Sequence, residues 1–453
     1  MSLYMSTTYT IKKLSSAVAI ILFATSLTAC GGGSDSGGQS NNNPDKPPVN
    51  IPIDKCKGVT ASNSGQADLD KDGIIDDCDP DIDGDGVENE KDAKPLDATV
   101  AGVSTKSYRG NGFGYVNATE IAYFNAKKQL IETEYLSSYN PERANSSERF
   151  TYDNKGRLIR LESTRGIDKQ TDRIEVWVYD KKDQLIEHQT NDDGDSVFEA
   201  VTTYRYNLNG DITQIAKSDT SDTSYFDNST STYIYNDLNQ LEQIETDEYN
   251  NGSIDRIRYI TLNANNYVAK SALYYLEGND VTNTEVKKLY ETFEYNYDDQ
   301  GNVTKLIDSS LDYGSVRTVN YAYDNQKNII RETTNNNSGG IDVIDIKVTY
   351  DKANLATGAT FEYDSFNNIQ DVTEKAEYNS AGYLTKTLVD VSQNGKINQE
   401  ITYNYEGSVP LKFNMPTFLN FGLPNNRAPT ATSLLSRVNA RYTADMVKDF
   451  YYY

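Results

Sequence analysis

The chain has 453 residues and a formal net charge of -24 at pH 7, with 37% hydrophobic residues and a single histidine. That charge argues against a nucleic-acid partner and against electrostatic adsorption to anionic membranes, because both surfaces would repel the protein. One histidine excludes a zinc site built from several histidines. The 35 tyrosines against 13 phenylalanines indicate a polar, β-rich protein with a thin core.

The first 29 residues have the pattern of an export signal. Two lysines precede a short apolar run at residues 17–24, and the tetrapeptide Leu-Thr-Ala-Cys ends at Cys30. This tetrapeptide resembles the lipobox of bacterial lipoprotein signal peptides. The resemblance implies removal of residues 1–29, acylation of the Cys30 thiol and, because Gly31 follows the cysteine, sorting to the outer membrane. An ordinary secretory signal or a membrane helix is the alternative, but the apolar run is too short to span a bilayer.

Residues 30–53 are rich in glycine, serine, asparagine and proline, a composition that predicts a flexible tether. Once Cys30 is assigned to the lipid, Cys56 and Cys78 remain as an even pair in an exported, oxidising compartment. We therefore expect a disulfide between them, within the module that follows the tether.

An acidic module at residues 54–98 contains two loops in register, 68–79 and 81–92, the second starting 13 residues after the first. Both loops carry side-chain oxygens at positions 1, 3, 5 and 9, a glycine at position 6 and a carboxylate at position 12. This layout suits a hard cation with six or seven oxygen ligands, and it fits calcium better than magnesium. The alternative is a disordered acidic linker, since runs of charge are usually solvated.

With its embedded cysteine, the acidic module resembles thrombospondin type 3 repeats, which chain calcium loops without flanking helices. The resemblance implies that Ile74 and Val87 contribute backbone carbonyls and that the other ligands contribute side chains. The implied ligands are Asp68, Asp70, Asp72, Ile74, Asp76 and Asp79 in the first loop, and Asp81, Asp83, Asp85, Val87, Asn89 and Asp92 in the second.

Residues 99–406 contain a repeat of about 27 residues in which a tyrosine followed by aspartate or asparagine ends one strand. A short turn follows, and an apolar residue opens the next strand, so that each repeat is predicted to be one β-hairpin. The eleven copies begin at Tyr123, Tyr152, Tyr179, Tyr206, Tyr235, Leu262, Tyr297, Tyr323, Tyr350, Tyr378 and Tyr403.

This pattern resembles the YD-repeat (Rhs-like) family of bacterial proteins, although its period is longer than the usual unit. The predicted fold is mainly β: a tandem β-hairpin repeat sheet, as a curved or spiralling meander, preceded by an irregular calcium-loop module. Apolar pairs such as Leu158 and Leu161, or Ile212 and Ile215, are three residues apart. Either a bulge places each pair on one face, or both faces of the sheet are partly apolar.

The remaining sequence offers little chemistry. Residues 407–453 differ from the repeats and predict a tail or cap, with a short helix around residues 433–444. His188 is expected to be exposed on a strand, and no Gly-x-Ser-x-Gly elbow or phosphate-binding loop is found. The acidic turn 192–195 weakly resembles the calcium loops, but turn formation explains it equally well. We therefore predict no catalytic residue and no enzyme activity.

These features predict a lipid-anchored envelope protein, periplasmic or surface-exposed, in which a calcium-ordered spacer carries a repeat β surface for non-catalytic binding or adhesion. A glycan or a surface protein is the expected ligand. One alternative is a carrier or remnant of an Rhs-like polymorphic toxin, and another is an envelope polysaccharide hydrolase. The tyrosines are expected to pack across strands, although they are also able to stack on sugars.

Overall fold

The protein is described by a computed structural model that covers residues 56–110, 118–138, 145–166, 170–195, 197–220, 228–279, 284–311, 314–336, 341–365, 368–390 and 395–411. The predicted signal peptide, the predicted lipidation site Cys30, the predicted tether up to residue 53 and most of the C-terminal tail lie outside these described residues. Within them, no helix has the length and apolar character needed to cross a lipid bilayer.

The acidic module contains a short helix α1 (Ala61–Ser64) and a 3-10 turn (Asp76–Cys78). All other regular structure in the described ranges is β. The strands are β1 (Gly102–Gly110), β2 (Ala118–Phe124), β3 (Leu130–Ser137), β4 (Ser146–Tyr152), β5 (Leu158–Arg165), β6 (Thr171–Tyr179), β7 (Leu185–Asn191), β8 (Ala200–Tyr206), β9 (Ile212–Asp219), β10 (Ser229–Tyr235), β11 (Leu241–Asp247), β12 (Arg256–Leu262), β13 (Val268–Asn279), β14 (Thr284–Tyr297), β15 (Val303–Ser310), β16 (Ser315–Tyr323), β17 (Ile329–Asn336), β18 (Ile341–Tyr350), β19 (Ala356–Ser365), β20 (Asn368–Tyr378), β21 (Leu384–Asp390) and β22 (Gln399–Gly407).

The strands form one closed antiparallel sheet. Each strand pairs with the next along the chain, and β1 also pairs with β22, from Gly102 opposite Gly407 to Gly110 opposite Gln399. The predicted mainly β architecture is confirmed, and the meander closes into a 22-stranded barrel. Ten hairpins run from β2 to β21, and β22 and β1 together form the eleventh unit from opposite ends of the described chain.

A β-bulge recurs in all ten of these hairpins. In one of them Tyr152 lies opposite Leu158 while Thr151 lies opposite Arg160, so that one extra residue is inserted after Leu158. The extra residue puts apolar side chains three positions apart on the same face. Ile212 and Ile215, for example, are each only 2% exposed and belong to one cluster. The bulge explanation of the odd spacing is confirmed.

The repeat tyrosine links neighbouring hairpins through its hydroxyl group. Tyr206 donates a hydrogen bond of 2.6 Å to the carbonyl of Leu185, the residue that opens the second strand of the preceding hairpin. Nine tyrosines make this bond, which we call the tyrosine ladder: Tyr152, Tyr179, Tyr206, Tyr235, Tyr297, Tyr323, Tyr350, Tyr378 and Tyr405.

The ladder corrects the predicted alignment at both ends of the array. In the first repeat the strand ends at Phe124, not at Tyr123, and Asn125 forms the turn. In the last repeat Tyr405, not Tyr403, donates to the preceding hairpin. Tyr403 lies two residues earlier and is buried in the wall, with its hydroxyl 3.5 Å from that of Thr387.

The residue after each repeat tyrosine shapes the turn. The carboxylate Oδ1 of Asp153 accepts hydrogen bonds of 2.9 Å from the backbone N–H groups of Lys155 and Arg157. The turn then passes through Gly156 at φ 80°, a left-handed conformation that glycine adopts without strain. These two turn bonds need only an acceptor oxygen at the first position, which both aspartate and asparagine supply.

The apolar core lies on the face that carries the ladder, which we call the tyrosine face. In β16, Val319 and Tyr321 on this face are buried, whereas Asn320 and Ala322 on the other face are exposed. Each of the four apolar clusters draws on neighbouring strands. We assign the tyrosine face to the inside of the barrel, because side chains on the concave side of a closed sheet converge and cover one another.

Replacing Tyr152 by phenylalanine removes one bond of the ladder and keeps the ring. We expect Tyr152→Phe to lower the free energy of unfolding by about 1 kcal/mol, because the Leu130 carbonyl loses its side-chain donor. Urea denaturation followed by circular dichroism measures the change. Tyr249→Phe is the control, since Tyr249 is 47% exposed and outside the ladder. Equal losses in both variants would contradict a stabilising role for the ladder.

The stability that this hydrogen bond contributes is predicted to depend on pH in the alkaline range. Burial raises the pKa of the Tyr152 phenol from 10.0 to about 12. A group whose pKa is higher in the folded state stabilises fully below its unfolded pKa and loses that effect as the pH rises through its folded pKa. The stability difference between wild type and Tyr152→Phe should therefore hold up to about pH 9 and disappear by about pH 12. A difference that persists unchanged at the higher pH, in the same urea titrations, rules this linkage out.

Candidate metal centre

The two acidic loops, 68–79 and 81–92, have the same conformation. At position 1, Asp68 accepts a hydrogen bond from the N–H of Gly73 at 3.2 Å, and Asp81 accepts one from Gly86 at 3.0 Å. Both glycines are left-handed, with φ of 103° and 94°. Glycine is therefore favoured at position 6 of both loops, because the backbone there is left-handed and its N–H donates to the carboxylate at position 1.

The later positions repeat in the same way. The N–H of Ile74 donates to Asp72 at 2.7 Å, and that of Val87 donates to Asp85 at 2.8 Å. At position 9 both side-chain oxygens accept a backbone N–H, from Leu69 to Asp76 at 2.8 Å and from Ile82 to Asn89 at 3.1 Å. A segment with little apolar core therefore holds two copies of one turn through its own carboxylate and amide groups.

The first three acidic side chains of each loop converge. One oxygen from each of Asp68, Asp70 and Asp72 lies within 4.8 Å of the others, and the same holds for Asp81, Asp83 and Asp85. Several carboxylate oxygens of the two loops, including one at position 12, are buried with no hydrogen-bond partner among the described residues: Asp68 Oδ1, Asp81 Oδ1, Asp83 Oδ2, Asp85 Oδ2 and Asp92 Oδ2. Buried oxygens without partners are costly, and a hard cation supplies the missing interaction.

The pKa values show the electrostatic cost of these loops. Burial raises the pKa of Asp83 and of Asp85, and the neighbouring carboxylates add to the rise. Burial also raises the pKa of Asp92 to about 6, with repulsion from Asp85 and Asp83 contributing. At the same position of the first loop, the pKa of Asp79 is raised by burial and then by repulsion from Asp72. A bound cation reverses both causes, because it restores solvation and attracts the charges.

The predicted ligands thus fall into two groups. One oxygen each from positions 1, 3 and 5 converges in each loop, and the position-12 carboxylates of Asp79 and Asp92 are buried and close enough to be repelled by carboxylates of those positions. The position-9 oxygens of Asp76 and Asn89 already accept backbone N–H groups, and the Asn89 amide donates to the Asp79 carbonyl at 2.7 Å. Asn89 therefore also ties the two loops together.

The disulfide is confirmed between Cys56 and Cys78, whose Cα atoms are 5.5 Å apart. It joins the start of the described module to the 3-10 turn that ends the first loop. This crosslink is made at position 11 of the first acidic loop, and it holds the adjacent Asp79 close to the chain that enters the module.

A third acidic group lies between β7 and β8, where Asp193, Asp195 and Glu199 bring their oxygens within 4.8 Å of one another. The sequence pattern indicated the turn 192–195 but did not include Glu199, whose carboxylate accepts a hydrogen bond from the N–H of Asp192 at 2.9 Å. The signal was available, since Glu199 stands at position 9 when Asn191 is counted as position 1. This group differs from the two loops because none of its oxygens is among the buried, unpartnered atoms of the described residues.

Sequence comparison finds short matches to thrombospondin-type repeats. The chain is 65% identical over 43 residues to cartilage oligomeric matrix protein of Mus musculus, covering 10% of this chain and 5% of that protein. It is 46% identical over 75 residues to the Homo sapiens protein, covering 17% and 10%. The chain therefore spans at most a tenth of these curated relatives. No protein-family model matches the chain.

Comparison of structures finds similarity, at low TM-scores, to a TcdB2-TccC3 complex and to a porin-like protein. The crystal structure of TcdB2-TccC3-Cdc42 has a TM-score of 0.30 and 13% identity, over 64% of this chain and 16% of that chain. The porin-like protein from Bacteroides uniformis has a TM-score of 0.24 and 12% identity, over 68% and 96%.

Changing one position-5 carboxylate in each loop tests the metal centre. We expect Asp72→Asn and Asp85→Asn each to remove one bound calcium ion, because each loses one of three converging carboxylates. Isothermal titration calorimetry of wild type and variants gives the stoichiometry. Asp77→Asn is the matched control, since Asp77 is exposed and occupies no ligand position. Unchanged stoichiometry in both loop variants would contradict the assigned sites.

Proposed function

We propose that this chain is a cell-envelope protein that binds a glycan or a surface protein without catalysis. An acyl group on Cys30 anchors it to the outer membrane, and calcium ions order a spacer between the tether and the barrel. The observation that best supports this proposal is the pair of acidic loops with unpartnered buried oxygens, placed directly before a closed sheet. An anchored protein needs such a rigid joint if the barrel is to be held away from the membrane.

The spacer role is supported by how little apolar core the module has. Among the described residues of the module, the buried aliphatic side chains are Ile75 and Ile82. Such a core does not offset the entropy of ordering about forty residues. The disulfide and bound cations supply the remaining order, and the module then becomes stiff only in a medium that contains calcium.

The barrel is suited to display. The ladder tyrosines are used up in packing and hydrogen bonding, which supports the packing interpretation and moves any ligand site away from them. Leu208 and Leu238 are 96% and 77% exposed at the turns of two hairpins, β8 to β9 and β10 to β11. Exposed leucines on successive repeat turns favour a protein partner at this rim. The charge of -24 favours a neutral or cationic partner.

The environment of His188 supports a structural role for the one histidine. The expectation that it is exposed is wrong: its side chain is 11% exposed, and Nε2 lies 2.8 Å from Glu175 Oε2. The ring also stacks on Trp177 with centroids 5.0 Å apart. Glu175 in turn pairs with Arg173 at 3.1 Å. A histidine held between an aromatic ring and a paired carboxylate is built into the barrel wall, which favours a non-catalytic protein.

A binding screen of the full chain tests the proposed function. We expect saturable binding to a subset of immobilised glycans or envelope proteins, with no release of shortened glycan. Binding should weaken on an anchored sample when calcium is chelated, because the spacer then loses its order. The readouts are array fluorescence and chromatography of the recovered glycans. Turnover of any glycan would overturn the non-catalytic proposal and favour a hydrolase.

The anchor is tested in cells. We expect Cys30→Ala to abolish incorporation of a fatty-acid analogue and to move the protein into the soluble fraction, because the acylated thiol is lost. Gly31→Asp is the paired variant: it should keep the label and retain the protein at the inner membrane. Labelling of Cys30→Ala at the wild-type level would contradict the proposed anchor.

A further inference from the structure

The module and the closed sheet meet at one buried residue, Ala101, which is 0% exposed. Its N–H donates to the carbonyl of Phe124 at 2.8 Å. Its carbonyl accepts the N–H of Ser408 at 2.8 Å and that of Ala93 at 3.2 Å. The backbone of this one residue thus connects the end of the module to β2 and to the chain that leaves β22.

Two glycines allow this close approach. A Cβ atom on Gly407, which has φ of 65°, would lie 2.2 Å from the Ala101 carbonyl oxygen and 2.5 Å from the Ala93 nitrogen. A Cβ atom on Gly102 would lie 2.3 Å from the Ser408 carbonyl oxygen. Gly102 and Gly407 are also the first residue pair of the β1–β22 ladder. The module and this ladder therefore touch through backbone atoms, at a distance that leaves no room for a side chain at either glycine.

The second acidic loop ends one residue before this contact. Asp92 is 3% exposed; its Oδ1 accepts the N–H of Lys94 at 2.7 Å, and its Oδ2 has no partner among the described residues. Asp83, 7% exposed, also has an unpartnered Oδ2. The equivalent carboxylate of the first loop, Asp79, lies thirteen residues farther from the contact along the chain.

The β1–β22 ladder differs from all other strand pairs of the barrel. Every other pair joins strands that follow one another in the chain, whereas Gly102 and Gly407 are about 300 residues apart. No short turn holds these two strands together. We call this ladder the seam, and it is the pair that separates first if the barrel opens, because its neighbours remain linked by their turns.

We propose that a cation in the second acidic loop locks the seam of the barrel. This inference rests on the proposed calcium binding and adds a regulatory role for the loop. With the ion bound, the carboxylates of Asp83, Asp85 and Asp92 are drawn together and hold Ala93 against Ala101. Without the ion these charges repel one another, Ala93 moves away, and the pairing of β1 with β22 loosens. Calcium concentration thus controls whether the display surface is a closed barrel or an open sheet.

Hydrogen exchange of the full wild-type chain, followed by mass spectrometry, tests the proposal directly. Peptides from β1 and β22 are compared with peptides from β10 to β13, in millimolar calcium and in excess chelator. We expect chelation to speed exchange at the seam about tenfold and to leave β10 to β13 nearly unchanged. Seam exchange that does not respond to chelation, or responds no more than β10 to β13, overturns the proposal.

Matched variants locate the effect in one loop. Asp92→Asn and Asp79→Asn remove the position-12 carboxylate from the second and the first loop, respectively. In saturating calcium we expect fast seam exchange in Asp92→Asn and wild-type exchange in Asp79→Asn; equal effects overturn the proposal. Ala93→Pro removes the donor N–H and also restricts the backbone of Asp92, so calorimetry must first show that the variant binds calcium; seam exchange in the calcium-binding variant should then no longer depend on calcium. Continued calcium dependence in Ala93→Pro also overturns the coupling.

Calcium titration of the same wild-type sample by calorimetry separates the two proposals. If no calcium binds, the proposed spacer function fails. If calcium binds and the seam exchanges at the same rate with and without it, the spacer function stands and the lock alone is wrong.

Discussion

The hydrogen bond from each tyrosine of the ladder to a carbonyl in the preceding hairpin is the constraint on which the barrel depends. Tyr235 donates to Ile212 across the boundary between hairpins, in addition to the backbone ladder that joins neighbouring strands. The hydroxyl satisfies a carbonyl at a strand start, where the bulge interrupts regular pairing. Phenylalanine fills the same space but leaves that carbonyl without its donor. This explains why tyrosine and not phenylalanine occupies the nine ladder positions.

Closure adds a cost that the repeats alone do not meet. A hairpin turn closes a loop of a few residues, whereas the pairing of Gly102 with Gly407 closes one of about 300. The entropic free-energy cost of closing the longer loop is greater by about 3 kcal/mol, because this cost rises with the logarithm of loop length. The nine pairs of the seam and the burial of Val409 in the cluster around Phe124 offset this cost. The chain ends of the barrel therefore need local support, and the acidic module lies where it can provide it.

Much of this architecture was predictable, and the misses have physical causes. The hairpins were predicted from alternating strands and turn residues, and the two acidic loops from the spacing of their oxygen-bearing residues. Both patterns are local in the sequence. Register failed at Tyr123 and Tyr403, because another residue able to fill the aromatic site lies one or two positions later. Asn125 marked the true register at the first repeat, whereas Tyr405 is followed by no such turn residue. Closure and the burial of His188 depend on contacts between distant residues, which no local pattern records.

In the acidic module, the proposed ion binding is linked to folding. Ile75 and Ile82 are its buried aliphatic residues within the described part of the chain, so its carboxylates hold the backbone that a core would otherwise hold. Those carboxylates are also the proposed ion ligands, so that a bound ion and the conformation would stabilise each other. Asp92 is next to Ala93, and the N–H of Ala93 is hydrogen-bonded to the carbonyl of Ala101. Ordering of the second loop is therefore proposed to stabilise the barrel through these two peptide groups. A spacer attached by a flexible link would not transmit it.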